Sequence, residues 1–114
     1  MAARYYLTLP DGNAARGEEP SLSFTAQGGE AFAEQLQDAL RHDALFERWR
    51  LMQDDPDEVD PTLGATDPDA TVSGEQHHLR INLVATTSLP GRVLKHRMRL
   101  LAGRHWELRD VTSA

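Results

Sequence analysis

A chain of 114 residues with 39% apolar and 26% charged side chains has enough material for one core and excludes two independent ones, so residues 1–114 read as a single domain. Its net charge of −6 is unevenly spread, net −12 over residues 17–75 and net +6 over residues 76–109, which suits internal complementarity or the steering of a partner. The absence of cysteine excludes disulfides, thiolate nucleophiles and cysteine-based zinc sites, and no apolar run reaches the ~20 residues of a membrane span or the core of a signal peptide, so the expectation is a cytoplasmic protein with no membrane partner.

In chain order, residues 4–9 alternate Tyr5, Leu7 and Leu9 against Arg4, Tyr6 and Thr8, the period of a strand with one buried face. Pro10-Asp11-Gly12-Asn13 ends it. Residues 21–26 alternate again, with Leu22, Phe24 and Ala26 on one side, and read as a second strand in a hairpin with the first. Gly28-Gly29 then breaks the pattern. Over residues 30–42 the period changes to 3.6, placing Phe32, Leu36, Ala39 and Leu40 on one face of the main amphipathic helix. Residues 45–53 fit either a strand, favoured by the Arg48-Trp49-Arg50 alternation, or a helix capped by Asp43. Residues 54–70 are acidic, carry prolines at 56, 61 and 68, and show no apolar period, the pattern of a flexible connecting loop.

The longest period-two patterning follows. Residues 71–89 read as a strand burying Leu79, Ile81, Leu83, Ala85 and Leu89, and Pro90-Gly91 reads as a reversal. Residues 92–102 then read as a strand burying Leu94, His96, Met98 and Leu100, and residues 104–112 as a last one burying Trp106 and Leu108. Pairing the buried faces sets Ile81 opposite Leu100 and Leu83 opposite Met98. The expected fold is therefore α+β: an antiparallel sheet with a C-terminal three-stranded meander and one main amphipathic helix packed on one face.

Few residues carry a chemical signal. The carboxylates of Asp54, Asp55, Asp57, Glu58 and Asp60 miss the calcium-loop spacing, because Val59 occupies the position where the sharp turn needs glycine. His77 and His78 are adjacent on a strand and point apart, His96 falls on the core face and His105 on the polar face, so no three histidines converge and no metal or cofactor is expected. Nucleophile elbows, phosphate loops and dinucleotide fingerprints are absent from the sequence. In the expected meander Arg80, Lys95, Arg97, Arg99 and Arg109 share a basic face, a third functional reading as a weak nucleic-acid binder. It is disfavoured by the acidic total charge and by the lack of aromatics on that face. The leading expectation is a non-catalytic interaction or accessory module that binds another protein or itself, with Tyr6, Phe46 and Met52 as apolar side chains left over for an interface. The alternative is a small-molecule pocket, of a binding domain or an enzyme, between helix and sheet, lined by Trp49, His96, Met98 and Trp106.

Overall fold

The first strand sits in the middle of everything that follows. In the computed structural model, which describes residues 1–114, β1 (Ala3–Leu9) is hydrogen-bonded on both sides. The chain continues through α1 (Gly29–Arg41), α2 (Ala44–Arg50), 3₁₀ turns at Pro56–Glu58 and Pro61–Gly64, β2 (Thr71–His77), β3 (Arg80–Thr87), α3 (Gly91–Ala102) and β4 (Glu107–Ser113). The sheet order is β2-β3-β1-β4 with all pairs antiparallel. Strand–helix–strand, strand–helix–strand in this spatial order is the split βαβ, or ferredoxin-like, arrangement.

The α+β class, the antiparallel sheet and the amphipathic helix are as the patterning indicates, with the strand at 3–9 and the helix at 29–41 close to their expected limits. The C-terminal meander is not formed. Residues 91–102 are a helix, and the residues they bury are Val93, Leu94, Arg97, Met98, Leu101 and Ala102, a 3.6-residue stripe. The expected alternation failed because Arg97 belongs to the buried face. With the helix in place, β3 pairs with β1 rather than with residues 92–102, Leu7 facing Leu83 and Leu9 facing Ile81. The expected strand at 71–89 is a hairpin folded at His78 and Leu79, with His78 in the left-handed region at φ 58. Residues 44–50 take the helical alternative, which buries Leu45 and Phe46 and sets Glu47 beside Arg50 at 3.0 Å, whereas a strand would have turned Glu47 inward.

Residues 21–26 form no strand, since both sides of β1 are occupied by β3 and β4. Leu22, Phe24 and Ala26 are nonetheless buried, and their backbone finds other partners. The Phe24 N–H donates to the Leu101 carbonyl at 2.8 Å, and the N–H groups of Thr25 and Ala26 both donate to Gln35 Oε1 at 2.9 Å. The long 10–28 connection is thereby laid against the middle of α1 and the end of α3.

One side of the sheet carries the core. Tyr5, Leu7, Leu9, Ile81, Leu83 and Ala85 point into it and meet Phe32, Leu36 and Leu40 of α1 and Leu94, Met98 and Leu101 of α3. Phe24 from the connection closes it edge-on against Phe32 at 4.8 Å. Gly74 explains how closely α1 docks: a Cβ there would collide with the Gly29 carbonyl, so the start of the helix rests directly on the backbone of β2.

Candidate functional site

The expected basic face does not assemble. Arg80 starts β3 and Arg109 lies in β4, while Lys95, Arg97 and Arg99 belong to α3, where helical period sends successive odd positions in different directions. Lys95 and Arg99 are exposed, and Arg109 pairs with Glu107 at 3.0 Å. Arg97 is 0% exposed. Its Nη1 donates to the Leu63 carbonyl and its Nη2 to the Ala65 carbonyl, both at 2.8 Å, and its guanidinium lies 5.9 Å from the Phe46 ring centre. Burial pushes its pKa down, opposed by the charge of Asp43. The guanidinium is a clamp that ties the acidic segment to α3.

A second clamp holds the end of that segment. Asp67 Oδ2 accepts from Thr87 Oγ1 at 2.7 Å and from the Ser88 N–H at 3.0 Å, and Oδ1 accepts from the Asp69 N–H at 3.0 Å. The bond from Ser88, followed by that from Thr87, holds this buried carboxyl below its ordinary value. At the exposed bend between the two 3₁₀ turns, Asp60 accepts from Thr62 and pairs with Arg92 at 3.4 Å.

Of the four expected pocket residues, three are brought near one another. The Trp49 and His96 rings meet edge to face at 4.4 Å, with Phe46 5.8 Å from Trp49. Trp106 shares with Trp49 an open groove of about 550 Å³ that Leu22 and Leu100 also line. Met98 is fully buried in the core and lines nothing. His96 Nδ1 is buried without a hydrogen-bond partner, and burial, then the charges of Arg97 and Arg99, lower its pKa from 6.5 to about 4. No three metal-ligating side chains converge anywhere in the chain.

The side of the sheet opposite the helices is covered by no other element of the chain. Registers place its residues in three rows across β2, β3, β1 and β4, namely Thr71, Thr86, Arg4, Thr112; Ser73, Val84, Tyr6, Asp110; and Glu75, Asn82, Thr8, Glu107, with His77 and Arg80 paired beyond the last row on β2 and β3. The two central strands contribute two charges, Arg4 at one end and Arg80, opposite His77, at the other, and the carboxylates Glu75, Glu107 and Asp110 stand on the outer strands. Within the polar part of the face, Thr8 Oγ1 donates to Asn82 Oδ1 at 2.9 Å. Of the three apolar side chains expected to be left over, Tyr6 is half-buried in the middle of this face, Met52 is 50% exposed after α2, and Phe46 is packed away beneath Arg97. Val84 and Thr86, hidden in sequence by the assumption that their strand paired with residues 92–102, are the partners of Tyr6 and Arg4.

Fold and surface together define a small split-βαβ domain with helices on one sheet face and the other face open. Comparison with known proteins finds no matching family model, no matching curated protein and no matching solved structure.

Proposed function

We propose that the chain is a non-catalytic interaction domain that associates with a second copy of itself through the open face of its sheet. The observation that carries this reading is the uncharged centre of that face, built from Tyr6, Val84, Thr86 and the mutually bonded Thr8 and Asn82, with charge kept to its periphery. That is the anatomy of a buried interface: a centre depleted of charge inside a polar rim. The bond between Thr8 and Asn82 offsets part of the desolvation cost of covering the Thr8 hydroxyl and the Asn82 carbonyl.

The charge layout favours a copy of the same chain over an unrelated partner. Arg4 stands at one end of the face without an ion-pair partner of its own, and the other end carries Glu75 beside His77, Glu107 paired with Arg109, and Arg80, so that carboxylates outnumber the one unpaired guanidinium there. A two-fold axis running across the strands brings the Arg4 end of each copy over the carboxylate end of the other, and isologous pairs of this kind are the commonest oligomers. Nucleic acid gains no support here, because the arginines are dispersed and Tyr6 is the only aromatic on the face.

Sedimentation velocity across a concentration series tests the reading. The expected species has twice the 12.7 kDa mass of the chain, and Val84→Glu, whose side chain is on the sheet surface away from the core, shifts it to the monomer while the far-ultraviolet spectrum is unchanged. A wild-type chain that stays monomeric throughout, or a Val84→Glu variant that dimerises as well as wild type, would overturn it.

A further inference from the structure

Both tryptophans of the chain line the same groove, and this groove lies in the helical layer, away from the open sheet face. Trp49 comes from α2 and Trp106 from the turn that leads into β4, with Leu100 of α3 and Leu22 of the long connection completing the apolar lining. The indoles are held from within. Trp106 Nε1 donates to the Gly103 carbonyl at 2.9 Å, and Trp49 is braced against His96 at 4.4 Å, so neither ring needs to be ordered by a ligand. The volume of about 550 Å³ is that of a site for a small molecule.

Four charged side chains share the groove: Arg99 and Arg104 from the end of α3 and the turn after it, and Glu18 and Glu19 from the long connection. None of the four forms an ion pair within the chain. An anion would meet two carboxylates along with the arginines, a cation would meet two guanidiniums, and a neutral ring would leave all four charges partly desolvated without compensation. A ligand carrying both charges satisfies both sets. From the paired indoles and the balanced charges we infer that the groove binds a small zwitterion with an aromatic or large apolar side chain, the chemistry of a free aromatic amino acid. Its carboxylate pairs with Arg99 and Arg104, its ammonium with Glu18 or Glu19, and its side chain rests on Trp49 and Trp106.

Tryptophan fluorescence reads this site directly, because no tryptophan lies elsewhere. The probes are phenylalanine, 3-phenylpropanoate and 2-phenylethylamine, which share a ring and differ in carrying both charges, the negative one alone or the positive one alone. The expected result is a saturable change with phenylalanine at a Kd below about 1 mM, and binding at least about tenfold weaker for each single-charge analogue. Arg99→Gln together with Arg104→Gln, both exposed positions, weakens phenylalanine binding by at least about tenfold while the circular dichroism spectrum stays unchanged. The inference is overturned by the absence of a saturable change below about 10 mM, by 3-phenylpropanoate or 2-phenylethylamine binding as well as phenylalanine, or by indifference to the double substitution. The readout does not depend on association through the sheet, so it stands or falls separately from the dimer.

Discussion

Arg97 shows how one side chain can redirect the reading of a whole segment. A guanidinium carries five donors in a planar fork, and here two of its nitrogens reach carbonyls of the acidic segment while its plane lies over the Phe46 ring. Removing it leaves the Leu63 and Ala65 carbonyls without their donor. Arg97→Ala is therefore expected to cost about 2–4 kcal/mol, measured as a lower urea midpoint with little change in slope. Arg97→Lys keeps the charge but not the fork and is expected to recover only part of that loss. If Arg97→Ala were as stable as wild type, the clamp would have no energetic weight. The neighbouring His96 makes a different prediction. Its pKa of about 4 in the folded chain, against 6.5 unfolded, means that the unfolded state binds more protons between those values. Stability should therefore fall as pH drops from 6.5 toward 4, and His96→Phe should flatten denaturation midpoints across that window.

At the scale of elements, the hairpin and α3 were two of the places where local pattern and fold disagreed, along with residues 21–26 and 44–50. His77, His78 and Leu79 contain no glycine, asparagine or proline, so nothing local marked the reversal that puts His78 at φ 58. Residues 94–100 alternate apolar and basic side chains, yet leucine, methionine, arginine and lysine are all good helix formers, and Gly103, at a positive φ of 61 that glycine adopts most readily, ends the helix. The contact between α1 and β2 depends on Gly74 in the same local way. Gly74→Ala pushes a methyl group into the Gly29 carbonyl and is expected to destabilise the protein by about 1–3 kcal/mol, with hydrogen exchange accelerated in β2 and the first turn of α1. Unchanged stability in that variant would mean that helix and strand are not docked as closely as described.

The whole molecule pairs an acidic first part with a basic last part, and it joins them through a few buried groups more than through surface ion pairs. Arg97 and Asp67 anchor the acidic segment at two points, to α3 and to the residues between β3 and α3. Because the Asp67 carboxyl is held below its ordinary value of 3.8, its contribution is present above that value and is lost as the pH falls through the lower folded one. Acid unfolding monitored by circular dichroism should therefore have two parts, a decline from pH 6.5 that His96→Phe removes and a steeper loss below about 4 that Asp67→Asn reduces. A single transition unaffected by either substitution would contradict this account.

Period alone was enough to find the first strand and the main helix, because each has one face that must leave water and a backbone that closes its own bonds or pairs along its length. The α+β class follows from that, and the lack of cysteine from composition. The rest required the tertiary structure. Which strands flank β1 is a non-local competition, and residues 21–26 bury their apolar side chains yet lose the place beside it to β3 and β4. Of the proposed groove, Trp49 and Trp106 were visible as buried-face aromatics, but Leu22, Arg104 and Glu18 come to them only through the path of the long connection and the turn after α3. The open sheet face was hidden for the same reason: an alternating strand shows that it has two faces, and only packing decides which of them the helices leave uncovered.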